Sequence, residues 1–164
     1  MRSAFKNNTW LPCMCHRLHT AVDCAWTSAL EDPEYKLLYQ KMLGVRAYIH
    51  RSANKSSKLP KKLPNDSPTR PWCGLSKLFE SFDTSYDILS EMTRGTQVTM
   101  PTDRSLLKQI GCFFKIFDKP FNSLQSNKET TSYMVCTRAV TMAKKINELP
   151  ERLQILKDLS LKCI

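Results

Sequence analysis

Apolar residues recur along most of this chain every three or four positions, the period of a helix with one buried face. The first stripe, Leu18, Val22, Ala25, Trp26 and Ala29, predicts a helix from about His16 to Leu30. Asp32-Pro33 stops it and starts the next. Aspartate is a good N-cap, and proline suits the first helical position because its missing N–H would have no partner there. The second helix carries Tyr35, Leu38, Tyr39, Met42, Val45 and Ile49 on one face and fades near Ser52. A third is predicted over Leu75, Leu78, Phe79, Phe82, Tyr86 and Leu89, with Gly95 and Thr96 as the turn behind it. Thr102 is the expected cap of a fourth, in which Leu106, Leu107, Ile110, Phe113, Phe114 and Phe117 form a heavy stripe. Pro120 is expected to end or kink that helix. A fifth covers roughly residues 130–148 through Val135, Ala139, Val140, Met142, Ala143 and Ile146. Pro150 opens a sixth, with Leu153, Leu156 and Leu159.

Residues 53–71 break the pattern. They are rich in Lys, Ser and Pro, and Pro60, Pro64, Pro68 and Pro71 come every three or four residues. No helix is predicted through them; an extended basic connection is. At most a short strand ends near Leu11, and no run of alternating strands follows. The expected fold class is therefore mainly α, with about six amphipathic helices burying one another's faces. Its parts are residues 1–52 with two helices, the connection 53–71, and the helical region 72–164.

A chain of 164 residues, 41% hydrophobic and 24% charged, is long enough for a real core and has a globular composition. No run of eighteen apolar residues marks a membrane helix, and Met1 to Asn8 lacks the apolar stretch of a secretory signal. The seven scattered cysteines, several on apolar helix faces, suggest reduced thiols in an intracellular protein. Net charge is +10, and about half the excess lies between Arg51 and Arg70, where six Lys/Arg face the single acid Asp66. A basic segment holding Lys55, Lys58, Lys61 and Lys62 suits the phosphates of DNA or RNA. It equally suits a solvated linker, and charge alone leaves both open.

Candidate chemistry concentrates in Cys13-Met14-Cys15-His16-Arg17-Leu18-His19, which holds four metal-ligand side chains. Structural zinc sites usually draw their pairs from two separated knuckles, because one short stretch rarely closes a tetrahedron. No second paired knuckle follows. A Cys-His nucleophilic pair would need an orienting Asn or Asp, and no recognisable motif supplies one. Glu31, Asp32, Asp66, Asp83, Asp87 and Asp103 sit in cap or surface positions, and with four glycines there is no phosphate-cradling loop. No metal, cofactor or enzymatic activity is expected from these residues.

The segment Cys13 to Val22 resembles the C-x-x-H-x-L motif of hAT-family transposases, with Cys13 and His16 as the matching pair. In that family the motif follows a strand of an RNase H-like catalytic domain and opens a helix. A helix ending near a serine, a linker, a Thr-Arg-Trp motif and further amphipathic helices then follow. Here that order is Tyr48-Ile49-His50-Arg51-Ser52, the Lys/Pro connection, Thr69-Arg70, and Leu75 onward. Phe82 to Leu89, and Thr102 to Phe117, are similar to the helices that come next. The resemblance covers most of residues 10–147, and the order of short motifs carries it more than any one motif.

It implies a truncated or degenerate segment: the end of the RNase H-like domain and the start of the helical insertion domain. None of the acids here matches the family's catalytic three, so an inactive transposase-like fragment in the nucleus is implied. Its remaining activity would be DNA binding through Lys55, Lys58, Lys61 and Lys62, with Arg70 near the backbone and Trp72 as a possible base stacker. Cys13 and His16 would pack at the strand-to-helix junction as a structural motif. One departure concerns Trp72: Pro71 intervenes between it and Arg70, and it equally reads as a half-buried anchor at a helix start. Two other classes stay open. One is a protein-interaction module that self-associates or binds a partner through an apolar face exposed on the first helix pair. The other is a transposon relic without function.

Overall fold

The computed structural model describes residues 14–64, 71–124 and 134–163. The described residues are mostly helical, with no strand among them. The helices are α1 (Met14–Ala29), α2 (Pro33–His50), α3 (Ala53–Ser57), α4 (Pro71–Thr84), α5 (Tyr86–Thr93), α6 (Arg104–Leu124), α7 (Met134–Asn147) and α8 (Gln154–Cys163). The mainly α expectation holds. The expected strand near Leu11 lies outside the described residues.

Local chemistry explains most boundaries. Asp32 caps α2 by accepting the Glu34 N–H at 2.8 Å, with Pro33 as its first helical residue. The cap of α6 is Asp103 and not Thr102: its Oδ1 accepts the Leu106 N–H at 2.8 Å. A carboxylate there also meets the positive end of the helix dipole. Pro120 does not end α6, which runs on to Leu124. An interior proline forfeits a helical hydrogen bond, but Phe117, Pro120 and Phe121 are all buried on the core side, and that burial opposes the loss.

Two elements depart from the periodicity. The third predicted helix is two, α4 and α5, separated at Ser85. Its apolar residues keep helical phase across the break, so the pattern could not show it. Gly95 follows α5 with φ +74°, the left-handed conformation that glycine adopts without a Cβ clash. The predicted extended connection contains a helix, α3, started by Ser52, whose Oγ accepts the Lys55 N–H at 3.5 Å. Ala53 followed by four polar residues makes no apolar stripe to reveal it.

The stripes meet in one core. Leu18, Val22, Trp26 and Ala29 of α1 join Tyr35, Leu38, Met42, Val45 and Ile49 of α2 and the aromatic faces of α4 and α6. Trp26 ties four helices together: its ring lies edge-on to Tyr39 at 5.4 Å, Phe79 at 5.7 Å and Phe114 at 5.3 Å. Such pairs add about 0.5–1.5 kcal/mol each beyond area burial. α4 runs against α6 and α1 against α8, while α7 touches both α6 and α8. The apolar face of the first helix pair is thus covered by the chain itself, not exposed as the interaction-module reading expected. Val140 is the reverse case: expected on a buried face, it is 70% exposed. Among the described residues no helix is long and apolar enough to cross a membrane.

Candidate nucleic-acid interface

The basic segment is folded back on the core by two leucines. Leu59 and Leu63 are 8% and 3% exposed, and both belong to the core cluster. The Leu63 carbonyl lies 3.1 Å from His50 Nε2 at the end of α2. α3 turns the chain between these anchors. A five-residue helix has no stability of its own, so the apolar anchors and the Ser52 cap must hold it. With Leu59 and Leu63 turned inward, Lys58, Lys61 and Lys62 are left on the outside, all exposed.

The four lysines stand in three different settings. Lys55 is half-buried, and its Nζ lies 3.5 Å from the centroid of the Tyr48 ring, a cation–π contact. Lys61 Nζ pairs with Glu80 Oε2 at 2.9 Å, joining the segment to α4. Lys58 and Lys62 have no acidic partner among the described residues. Glu80 also receives Lys115 of α6, at 3.7 Å from Oε1. The Lys61 hydrogen bond, with Lys115 beside it, holds the Glu80 carboxyl below its ordinary range. Near it, Ser76 donates to Asp118 Oδ2 at 3.0 Å, linking α4 to α6. Desolvation pushes the Asp118 carboxyl up, against the Ser76 bond, while Lys115 and Lys77 pull it down.

Pro71 and Trp72 begin α4, so the helix starts earlier than the apolar stripe suggested. The Trp72 and His16 side chains, and all of Cys13 and Arg70, lie outside the described residues.

Sequence reasoning missed a second charged cluster. Arg152, in the turn before α8, pairs with Glu34 of α2 and with Asp103 at the start of α6, the latter at 2.7 Å. Tyr35 Oη donates to the Arg152 carbonyl at 2.8 Å. The acid–arginine pairing has no signal at a sequence separation of 118 residues. A groove beside it, between α2 and the start of α6, is lined by Glu34, Leu37, Leu38, Lys41, Asp103 and Leu106. Its two carboxylates oppose an anionic ligand, whereas the Lys58–Lys62 surface favours one.

No protein-family model matches this chain, and no curated protein matches it.

Proposed function

We propose that this chain binds DNA through its phosphate backbone, without reading sequence and without cutting or joining strands. The observation that carries the reading is the outward placement of Lys58, Lys61 and Lys62 on a segment pinned to the core by Leu59 and Leu63. Two of these cations have no acid to neutralise them among the described residues. A net charge of +10 adds long-range attraction to a polyanion. Ammonium groups held outward on a folded support release counterions from DNA when they meet phosphate, and that release is the source of affinity.

The motif order from Cys13 through Thr69-Arg70 to Phe117 supports an hAT-transposase-like origin for the segment, and with it a nuclear location. No acid of this sequence matches the family's catalytic acids, so the proposed activity is binding alone. Fluorescence anisotropy of labelled duplex and hairpin DNA, titrated with the chain at low and moderate salt, tests the reading. Binding should weaken steeply with salt and fall when Lys58, Lys61, Lys62 and Arg70 are changed to Ala. A folded chain that leaves both DNAs free at low salt would overturn it. Incubation with supercoiled DNA and magnesium should give no nicks; metal-dependent nicking would contradict the binding-only reading.

A further inference from the structure

The buried stripe of α6 implies an opposite face, and that face is basic. Lys108, Cys112, Lys115, Lys119 and Asn122 recur at steps of four, three, four and three residues, and all are exposed. The acid of α6, Asp118, lies between Lys115 and Lys119 in sequence but is half-buried and takes the Ser76 hydroxyl. Lys108 and Lys119 have no acidic partner among the described residues. Lys115 reaches Glu80 Oε1 at 3.7 Å, on the carboxylate whose other oxygen takes Lys61 at 2.9 Å. The ridge and the basic segment therefore meet at one side chain.

We propose that Lys108, Lys115 and Lys119 form a second run of phosphate contacts on duplex DNA, continuous with Lys61, and that a DNA phosphate displaces Glu80 from the two lysines it bridges. The inference rests on the DNA-backbone reading above. At about 1.5 Å per helical residue, Lys108 and Lys119 stand about 16 Å apart, roughly five base pairs of duplex. Phosphate and carboxylate offer an ammonium the same kind of charge-assisted acceptor. Lys61, Lys115 and Glu80 are all well exposed, with side-chain exposures of 48%, 53% and 39%, so the pairs to be exchanged are weak ones. Asp118, half-buried and held by Ser76, stays in place behind the ridge.

The test compares the salt dependence of duplex affinity for four chains: the natural sequence, K108A/K115A/K119A, K58A/K62A and E80Q. Removing three phosphate contacts should lower the slope of log K against log salt by about 2 to 3. Circular dichroism should be unchanged, because the three side chains are exposed. E80Q should bind about two- to fivefold more tightly at low salt, the range expected from freeing two exposed pairs. A ridge variant with the natural slope, beside a segment variant with a reduced one, would overturn the ridge and leave the segment standing. E80Q binding no tighter would overturn displacement of Glu80. Loss of slope in neither variant, or no binding by the natural chain, would instead remove the DNA reading itself.

Discussion

Tyr35 shows how a single residue can serve the core and the surface together. Its ring is buried at the start of α2, and its hydroxyl donates to the Arg152 carbonyl. Burial first, and then Asp32 and Glu34, push its pKa up to about 12. A group raised in the folded state contributes stability below its unfolded pKa, about 10, that is lost as pH rises towards 12. Ultraviolet titration should therefore show a late tyrosine phase, and Tyr35→Phe should remove it. The same substitution should cost about 0.5–1.5 kcal/mol in urea unfolding, the worth of one hydrogen bond. Asp103 has the opposite sign. Its bond from the Leu106 N–H, and then Arg152, hold its carboxyl below the ordinary range. The stability it adds is present above about pH 4, its unfolded value, and is lost as pH falls through the folded one. Asp103→Ala should cost about 1 kcal/mol at neutral pH through the lost cap, with the half-exposed ion pair adding less after screening. Asp103→Asn keeps a capping acceptor, so it should flatten the acid limb of stability while costing little at pH 7. Asp32 was legible as a cap because proline follows it. Asp103 was less so, because Thr102 beside it is also a cap-forming type and the backbone geometry decides between neighbours.

Helix phase was the most legible property of the elements. The stripes of α1, α2, α4 and α6 are buried almost residue for residue, because period alone decides which face an amphipathic helix turns inward. What period cannot see are breaks that keep phase, as at Ser85, and helices without an apolar stripe, as in α3. The two leucines that hold the basic segment stand four apart among prolines, too short a pattern to mark an element. The basic stripe of α6 was equally open to reading; it was hidden by the heavier aromatic stripe on the same helix. Glycine tests the elements directly. Gly44 sits exposed inside α2 with nothing within 4 Å of a Cβ added there. Gly44→Ala should stabilise the chain by about 0.5–1 kcal/mol, through helix propensity alone. Gly95→Ala should destabilise it by about 1–2 kcal/mol, because φ +74° is costly for any residue with a Cβ. Paired thermal melts of the two variants should move in opposite directions.

At the scale of the molecule, the separation of apolar and basic surfaces carries the functional account. The apolar faces of the first two helices, which could have been a docking surface, are spent inside the chain. Leu37, Ile88, Val140 and Ile155 are the large apolar residues still exposed among those described. The cations, by contrast, stay outward on the α3–α4 connection and on α6, joined through Glu80. Charge composition pointed to the connection but not to its partner ridge, since Lys61 and Lys115, far apart in sequence, come together only when α4 packs on α6. The most direct measurement is an amide NMR titration of the isotopically labelled chain with a short DNA duplex at low salt. Binding through this surface predicts shifts clustered at residues 55–62 and along 108–119, with the groove around Leu37 and Asp103 unmoved. Shifts centred on that groove or on Val140, or none anywhere, would contradict it.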